Sequence, residues 1–281
     1  MIAGRIAAVI AAAALMSPMV GIAFAETPKV SWREVCRFTD GRLTEISGMA
    51  SSLIDRHRVW VINDSGDDAV VYGVDTRTCQ TVSELRLRGV RARDFEGLAS
   101  GRDARGRPYL WIGDIGDNRD SWTDVSIYRV REPLKQGSLT RTPRRWRFTY
   151  PDRPHNAETL MVLGDRVWVA TWQLASGGLY SVPLSRGVAI ARRVADAGPL
   201  TSDGAINPSG VGFVLRDYLD VHVYQGLPPG RRIATYALPA QIQGEAIAWA
   251  PDGRSLLVAS EKDDRLLRVY LPTVVLRSLE E

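Results

Sequence analysis

A short pattern, in which an apolar strand begins with small and acidic residues, recurs five times along the chain and restricts its fold. The recurrences lie about 40 to 60 residues apart, a spacing typical of repeat architectures. They start at Ser47-Gly-Met-Ala, Glu96-Gly-Leu-Ala, Glu158-Thr-Leu-Met, Asp203-Gly-Ala-Ile and Glu245-Ala-Ile-Ala. Three further apolar segments follow each start, except in the last unit, which has only two. Units of four strands and ~40 residues predict an all-β fold, the β-propeller.

Five blades account for residues 26–281 as a single domain. The segment Val30–Phe38 has the position of a missing fourth strand, and we expect it to pair into the last blade and close the ring. A six-blade alternative stays open because the second interval is long. Its surplus residues are rich in Gly, Pro, Ser and charge, so we assign them to loops at Gly101–Arg107, Asn118–Asp124 and Pro133–Pro143. No amphipathic helix is predicted after the N-terminal segment.

Residues 1–25 have the composition of a secretory signal peptide. Arg5 supplies a positive charge, Ile6–Met16 is apolar, and Ala23-Phe-Ala is a small-x-small cleavage motif. An uncleaved membrane anchor is the alternative, but Pro18 interrupts a stretch that is already short of the ~20 residues a span needs. We therefore predict an exported protein, secreted or held in the cell envelope, with no membrane span in the mature chain.

The two cysteines, Cys36 and Cys79, both follow the predicted signal. An even count in an oxidising compartment favours a disulfide between them, which would tie the N-terminal strand to the first repeat. The alternative is a pair of buried thiols.

The charge balance gives little support for nucleic-acid binding. The formal net charge is +4, from 36 basic and 32 acidic residues. The one dense basic run is Arg141–Arg147, where we expect the arginines on the outer face of a strand, and Trp146 and Phe148 on its inner face. We expect a monomer that binds a small-molecule substrate or a partner in the envelope.

The repeat brings polar residues to one mouth of the central channel, because the first strand of each propeller blade lines that channel. Residues two apart on a strand share a face. One layer would contain Ser47, Glu96, Glu158, Asp203 and Glu245, and the layer before it Glu45, Asp94, Asn156, Thr201 and Gln243. The second strands end nearby and contribute Asn63, Asp64, Asp114, Trp172 and Arg216, with Asp117 and Asn118 in the turn that follows.

Carboxylates this close cannot all be charged without compensation. Either some are protonated, or Arg93 and Arg216 pair with them, or a cation binds among them. Oxygen ligands without cysteine favour Ca²⁺ over zinc. We therefore predict calcium at this mouth, and the predicted metal ligands are Glu45, Asn63, Asp114, Asn156 and Glu158.

The other polar residues at the mouth are candidates for binding a ligand. They are Asp64, Asp94, Glu96, Asp117, Asn118, Trp172, Asp203, Arg216 and Glu245. A structural role for the repeated layer stays open, because an acid at each strand start can accept hydrogen bonds from backbone N–H groups of the neighbouring blade. The Asp/Gly turns at 64–68 and 114–118 are likewise accounted for by turn geometry alone.

His155, Glu158 and Asp114 are the predicted catalytic residues. His155 precedes Asn156 at the mouth, where it would act as a general base beside a metal-bound water. The alternative for a single histidine is a structural hydrogen bond.

Six segments carry a resemblance to a known group of proteins. CRFTDGRLTEISGMA, VWVINDSGDDAVVYGVD, ARDFEGLASG, YLWIGDIGDNR, IYRVREP and QGEAIAWA resemble a group of secreted actinobacterial β-propeller proteins. More distantly the design is similar to phytase-like and gluconolactonase-type propellers, which implies calcium in an acid-lined channel. The basic phosphate-binding residues that a phytase would need are sparse, so phosphomonoester hydrolysis is disfavoured.

Two functions fit this pattern. The first is a secreted calcium-dependent hydrolase of an ester, a lactone or a phosphoester. The second is a non-catalytic propeller that binds a protein or a glycan in the cell envelope, since propellers serve both purposes. An open acidic funnel would favour the enzyme, whereas a mouth plugged by the 118–124 loop would favour the binding protein.

Overall fold

The computed structural model describes residues 27–281 apart from positions 65 and 67. The predicted signal peptide lies outside the described residues. Within the described part, the chain is almost entirely strand and ends in a short helix. The strands are β1 (Ser31–Arg37), β2 (Ile46–Ser51), β3 (Arg58–Asn63), β4 (Val70–Asp75), β5 (Thr81–Leu87), β6 (Phe95–Arg102), β7 (Pro108–Asp114), β8 (Val125–Arg131), β9 (Gly137–Arg141), β10 (Arg144–Thr149), β11 (Ala157–Leu163), β12 (Arg166–Thr171), β13 (Gly177–Ser181), β14 (Val188–Ile190), β15 (Arg192–Gly198), β16 (Asp203–Ile206), β17 (Gly212–Arg216), β18 (Asp220–Gln225), β19 (Arg231–Ala237), β20 (Gln243–Trp249), β21 (Ser255–Glu261) and β22 (Asp263–Tyr270).

Five sheets form a ring, so the five-blade prediction is confirmed and the six-blade alternative is wrong. The inner strands are β2, β6, β11, β16 and β20, and each blade runs outward through antiparallel neighbours. The last blade has the order β20, β21, β22, β1. Its outermost strand is therefore the N-terminal one, with Ser31 opposite Tyr270, and the predicted closure of the ring is confirmed.

Two blades carry a fifth strand that the sequence reading missed. The segment Pro133–Pro143 was predicted as a loop, but β9 lies within it and pairs in parallel with β5 of the preceding blade. In the same way β14 pairs in parallel with β10. Both strands cover a blade's outer edge, which would otherwise present unpaired backbone groups. They also tie the first blade to the second and the second to the third.

The chain ends in a helix, Thr273–Glu280, where no helix was predicted. Val275 and Leu279 are four residues apart on one face and are buried against the fourth blade. With only eight residues, the helix offers too few turns for its apolar period to be recognised. Among the described helices, none is long and apolar enough to cross a membrane.

The core lies between the blades. Each blade is covered on both faces by its neighbours. The sequences of the inner strands are therefore continuous apolar runs rather than alternating apolar and polar residues. All six residues of β3 are buried, and Trp60, Trp111 and Trp168 occupy equivalent places in successive second strands. In β10, Trp146 is buried while the flanking arginines are exposed, as predicted.

The predicted disulfide between Cys36 and Cys79 is confirmed. The two Cα atoms lie 5.7 Å apart and the sulfur atoms are bonded. Cys36 belongs to β1 of the last blade, and Cys79 follows β4 of the first blade. The bond therefore fastens the strand that closes the ring.

Candidate functional site

Four of the five inner strands begin with a β-bulge. The register between first and second strand slips by one residue, and the extra residues are Ser47, Glu96, Glu158 and Glu245. A bulged residue leaves the ladder and its side chain is re-aimed. In these four blades the repeated residue at the strand start is thus the one that leaves the ladder, whereas Asp203 stays in regular register.

The bulges bring together two layers that an ideal strand would keep apart. Glu158 Oε1 accepts a hydrogen bond from Asn156 Nδ2 at 2.7 Å. In the last blade, Glu245 Oε1 accepts one from Gln243 Nε2 at 2.6 Å. The two predicted layers therefore form one polar lining.

Three carboxylates, Asp64, Asp94 and Glu96, form what we call the channel cluster. Asp64 directly follows β3 of the first blade, while Asp94 and Glu96 flank the first residue of β6 in the second. Each offers an oxygen within 4.8 Å of the others. Asp94 is buried, and its Oδ1 atom has no hydrogen-bond partner in the described part of the chain.

The backbone opposite the cluster makes room for these groups. A Cβ at Gly116 would lie 2.5 Å from Asp94 Oδ2 and 2.7 Å from Glu96 Cγ. Any side chain at this position would displace both carboxylates. Asn118, two residues further on, donates from Nδ2 to Asp94 Oδ2 at 3.3 Å.

Burial keeps the cluster from ionising freely. Burial first, and then the hydrogen-bonded Asp64 carboxyl, raise the pKa of Asp94 to about 9. Burial and the charge of Glu158 raise the pKa of Glu96 well above its usual range. Without a compensating cation, the cluster therefore retains protons at neutral pH.

Further glutamates extend this acidic lining. Burial raises the pKa of Glu158 to about 7 and that of Glu245 to about 9. Burial also raises the pKa of Glu261, against the hydrogen bond from Lys262, whose Nζ lies 3.3 Å from Glu261 Oε2. Glu158 is half-buried, unlike Glu96, so solvent reaches it.

Pairing with Arg216 was one of the three ways to compensate the acids, but the hydrogen bonds of Arg216 go elsewhere. The side chain is fully buried, and burial lowers its pKa to about 10. The guanidinium donates to the carbonyl oxygens of Ala246 and Ala259, at 3.2 and 3.4 Å, and to Gln241 Oε1 at 3.2 Å. It links the fourth blade to the fifth.

Arg93 also turns away from the cluster. Its guanidinium lies over the Trp122 ring, 4.1 Å from the centroid, and Nε is 3.6 Å from Asp114 Oδ2. In the described part of the chain, neither Asp94 nor Glu96 forms an ion pair with an arginine or a lysine. For Asp94 and Glu96, protonation and a bound cation are therefore left of the three ways to compensate the charge.

The structural role proposed for the repeated layer is confirmed for two of its members. Ser47 Oγ donates to the carbonyl oxygen of Phe95 in the next blade at 2.7 Å. Asp203 accepts from the backbone N–H groups of Gly204 and Ile247, both at 2.7 Å. Both residues thus link neighbouring blades.

Asp114 and Asp117 cap backbone turns. Asp114 Oδ1 accepts from the N–H groups of Arg93 and Asp94, at 3.0 and 2.9 Å. Asp117 Oδ2 accepts from two N–H groups of the following loop, at 2.6 and 2.7 Å. Burial raises the pKa of Asp114 against these bonds. Both side chains are thus engaged by backbone N–H groups.

The predicted metal ligands are only partly brought together. Asn156 and Glu158 are joined to each other beside the channel cluster. Glu45 is exposed, and it is its backbone oxygen that accepts from Asp64 N at 2.9 Å. Asn63 donates from Nδ2 to the carbonyl oxygen of Arg42. The candidate cation site of the structure is therefore the channel cluster rather than this set.

His155 is not brought into contact with the acids of the channel. Its Nε2 atom lies 3.0 Å from both carboxylate oxygens of Asp152, and Nδ1 lies 2.9 Å from the Gln173 amide. The ring is buried edge-on against Tyr150 and close to Tyr180. These contacts match the structural alternative.

An aromatic pair lies on the other side of the mouth. Trp172 Nε1 donates to the Tyr218 hydroxyl at 3.1 Å, and both residues are half-buried. Burial and the charges of Glu158 and Glu245 raise the pKa of Tyr218. The sequence reading missed Tyr218 and did not select Glu261. Tyr218 could have been found from its position, because it follows the second strand of its blade just as Trp172 does one blade earlier.

No family model matches the chain, and no curated protein matches it. Among solved structures, it is similar to a chain in the crystal structure of a mitotic checkpoint complex, with 14% identity and a TM-score of 0.43, over 79% of this chain and 60% of that chain. It is also similar to a streptogramin B lyase structure, with 11% identity and a TM-score of 0.47, over 86% of this chain and 98% of that one. At these levels neither similarity bears on activity.

Proposed function

We propose that this protein is an exported β-propeller that binds calcium at the channel mouth and hydrolyses an ester, a lactone or a phosphoester there. One observation carries the proposal. The three carboxylates of the channel cluster lie within 4.8 Å of one another, and a buried oxygen of Asp94 among them has no hydrogen-bond partner in the described chain. Such an arrangement is costly unless something binds it.

The donor chemistry of the cluster fits calcium. All of its donors are carboxylate oxygens, and the Asn118 and Asn156 amides lie at its border. Ca²⁺ takes six to eight oxygen ligands in flexible geometry, and sites with dissociation constants of ~10⁻⁴–10⁻³ M serve in extracellular proteins. We assign Asp64, Asp94 and Glu96 as its protein ligands.

The residues around the cluster support hydrolysis. Calcium held there would polarise an oxygen of the substrate. Glu158 would transfer the proton, because a pKa of about 7 populates both of its protonation states near neutral pH. Asn156 holds that carboxyl in place through its amide. Trp172 and Tyr218 would pack against the rest of the substrate.

Isothermal titration calorimetry of chelator-stripped protein tests the calcium proposal. We expect saturable binding of Ca²⁺ in the wild type and binding weakened by about tenfold or more in Glu96→Gln, which removes one charged ligand. Glu45→Gln is the matched control, since Glu45 is exposed and lies outside the cluster. Absence of binding in the wild type, or equal binding by Glu96→Gln, would reject the site.

A panel of ester, lactone and phosphoester substrates, with and without Ca²⁺, tests the hydrolase proposal. We expect calcium-stimulated turnover that falls by about 10² or more in Glu158→Gln. If calcium binds but no substrate is turned over, the hydrolase proposal fails and a non-catalytic role in binding an envelope partner is favoured.

Export is supported by the Cys36–Cys79 bond, because disulfides persist in oxidising compartments. The test is the N-terminal sequence of the protein recovered outside the cytoplasm. We expect it to begin at Glu26. A chain recovered with residues 1–25 attached would instead favour the membrane-anchor alternative.

A further inference from the structure

A cavity of about 490 Å³ between the first and second blades has the opposite charge to the channel cluster. Four of the residues that line it are arginines: Arg88, Arg91, Arg93 and Arg145. Tyr128 contributes a phenol, and Asp114 is the one acidic residue of the lining. None of these arginines contributes to the proposed hydrolytic site.

Two of the arginines are held in place by the second blade. Arg145 donates from Nε to Ser126 Oγ at 2.9 Å. Arg93 lies over the Trp122 ring and donates to the carbonyl oxygen of Asp124 at 3.1 Å. Fixing an arginine in advance lowers the entropy that is lost when it binds a ligand.

The other two arginines come from the connection between the blades. Arg88 and Arg91 flank a turn at Gly89, whose φ of 75° favours glycine. The turn is anchored where the Arg88 N–H donates to the carbonyl oxygen of Arg141, the last residue of the added strand β9. Both side chains are exposed, and neither forms an ion pair with any described residue.

The cavity therefore has an excess of positive charge. Asp114 lies beside Arg93, which leaves Arg88, Arg91 and Arg145 without a carboxylate partner in the described chain. A single carboxylate would not balance three guanidinium groups. A tetrahedral oxoanion with two or more charges would, and the planar fork of arginine matches its oxygens in pairs.

We propose that this cavity is a binding site for a small molecule that carries phosphate or sulfate groups. The site adjoins the channel mouth, because Asp114 Oδ1 accepts from the backbone of both Arg93 and Asp94. It uses none of the channel cluster, however, so the proposal holds whether or not the mouth binds calcium or is catalytic.

Calorimetric titration with inorganic pyrophosphate, on chelator-stripped protein at low ionic strength, tests the proposal. We expect saturable binding in the wild type, weakened by about tenfold or more in the double variant Arg88→Ala/Arg91→Ala. The matched control is Arg105→Ala/Arg254→Ala, which removes the same charge from exposed positions outside the cavity. We expect less than about a twofold change there, because exposed charges act weakly at a distance.

Competition separates the two sources of the oxoanion. If sulfate displaces pyrophosphate, the site accepts either group, and if only phosphate does, the site is one for phosphorylated molecules. No binding by the wild type, or equal weakening in the two double variants, would overturn the proposal. Thermal unfolding of both variants shows that the comparison is made between folded proteins.

Discussion

Carboxylates are held in opposite ways in the outer turns and in the channel. In the outer turns Asp40 and Asp75 each bind the arginine two residues later, and these hydrogen bonds lower both pKa values to about 2. In the channel, burial raises the pKa of Asp94 and of Glu245 to about 9. Residues of one chemical type thus favour the charged form where an arginine binds them and the protonated form in the channel.

The difference in pKa comes from where the groups that surround each acid lie in the chain. An outer aspartate meets its arginine within a single turn, so the pair forms locally, and the arginine stays exposed to water. The acids of the channel come from more than one blade and meet only when those blades pack together, in a place where burial disfavours charge. A surface pair is already compensated, whereas the channel cluster gains most when a cation binds.

The largest effect should appear in the pH dependence of stability without metal. The folded-state pKa values of Glu158, Asp94 and Glu245 lie above their unfolded values of 4.5, 3.8 and 4.5. A raised carboxyl pKa contributes stability that is full below the unfolded pKa and is lost as pH rises through the folded one. We therefore expect the melting temperature of metal-free protein to fall between about pH 4 and about pH 9.

The outer pairs predict the reverse at the acidic end. Their lowered pKa values contribute stability that is lost only as pH falls through about 2. Melting curves followed by circular dichroism in chelator-treated buffers measure the pH dependence of stability in both the acidic and the neutral-to-alkaline range. A melting temperature that rises steadily from pH 4 to pH 9 would mean that the channel acids are compensated within the protein.

The next effect is the response to calcium. A ligand that binds only the folded state at a hundred times its dissociation constant stabilises it by about 2.7 kcal/mol. We expect Ca²⁺ to produce a shift of this size at neutral pH and to remove most of the loss of stability toward pH 9. Urea unfolding with and without Ca²⁺ measures it, with Glu96→Gln expected to respond far less and Glu45→Gln to respond like the wild type.

Mutation of two residues in the same layer should change the free energy of unfolding in different directions. Asp203→Ala leaves the N–H groups of Gly204 and Ile247 without their acceptor, so we expect a loss of about 1–3 kcal/mol. Glu96→Gln replaces a buried carboxyl that stays protonated without metal by a neutral amide of similar shape, and in metal-free protein we expect it to be neutral or stabilising. Urea denaturation of both variants in the presence of a chelator compares them. If both destabilise equally, the layer has one structural role throughout.

The fold could be predicted because its signal is repeated. The pattern of an apolar strand that begins with small and acidic residues occurs five times. From it we could predict the number of blades, the inner strands and the strand that closes the ring. The strand β9 and the C-terminal helix carry no such signal. The pairing of β9 with β5 depends on a neighbouring blade, and the helix is stabilised by packing rather than by its own length.

The site could be predicted only as a neighbourhood. The sequence analysis placed Asp64, Asp94 and Glu96 at the mouth. It did not predict them as metal ligands, however, and predicted a set that includes Glu45 and Asn63. The two predicted layers assumed ideal alternation along each strand, and the bulges at Glu96 and its equivalents break that alternation. A bulge depends on contacts across the sheet, so it cannot be predicted from the local sequence. Arg88 and Arg91 escaped notice for the same reason, because the cavity exists only between assembled blades.

The smallest effect belongs to the outer turns. Asp40→Asn removes the charge that binds Arg42, but the Arg42 side chain is 49% exposed and also pairs with Glu84 at 2.8 Å. An exposed pair of this kind contributes less than about 1 kcal/mol, and salt weakens it further. We expect a loss within that limit, unchanged by Ca²⁺, with Asp203→Ala as the larger reference in the same urea titration. A loss as large as that of Asp203→Ala would mean that the outer acids stabilise the ring as strongly as the buried ones, and the contrast between the two regions would fail.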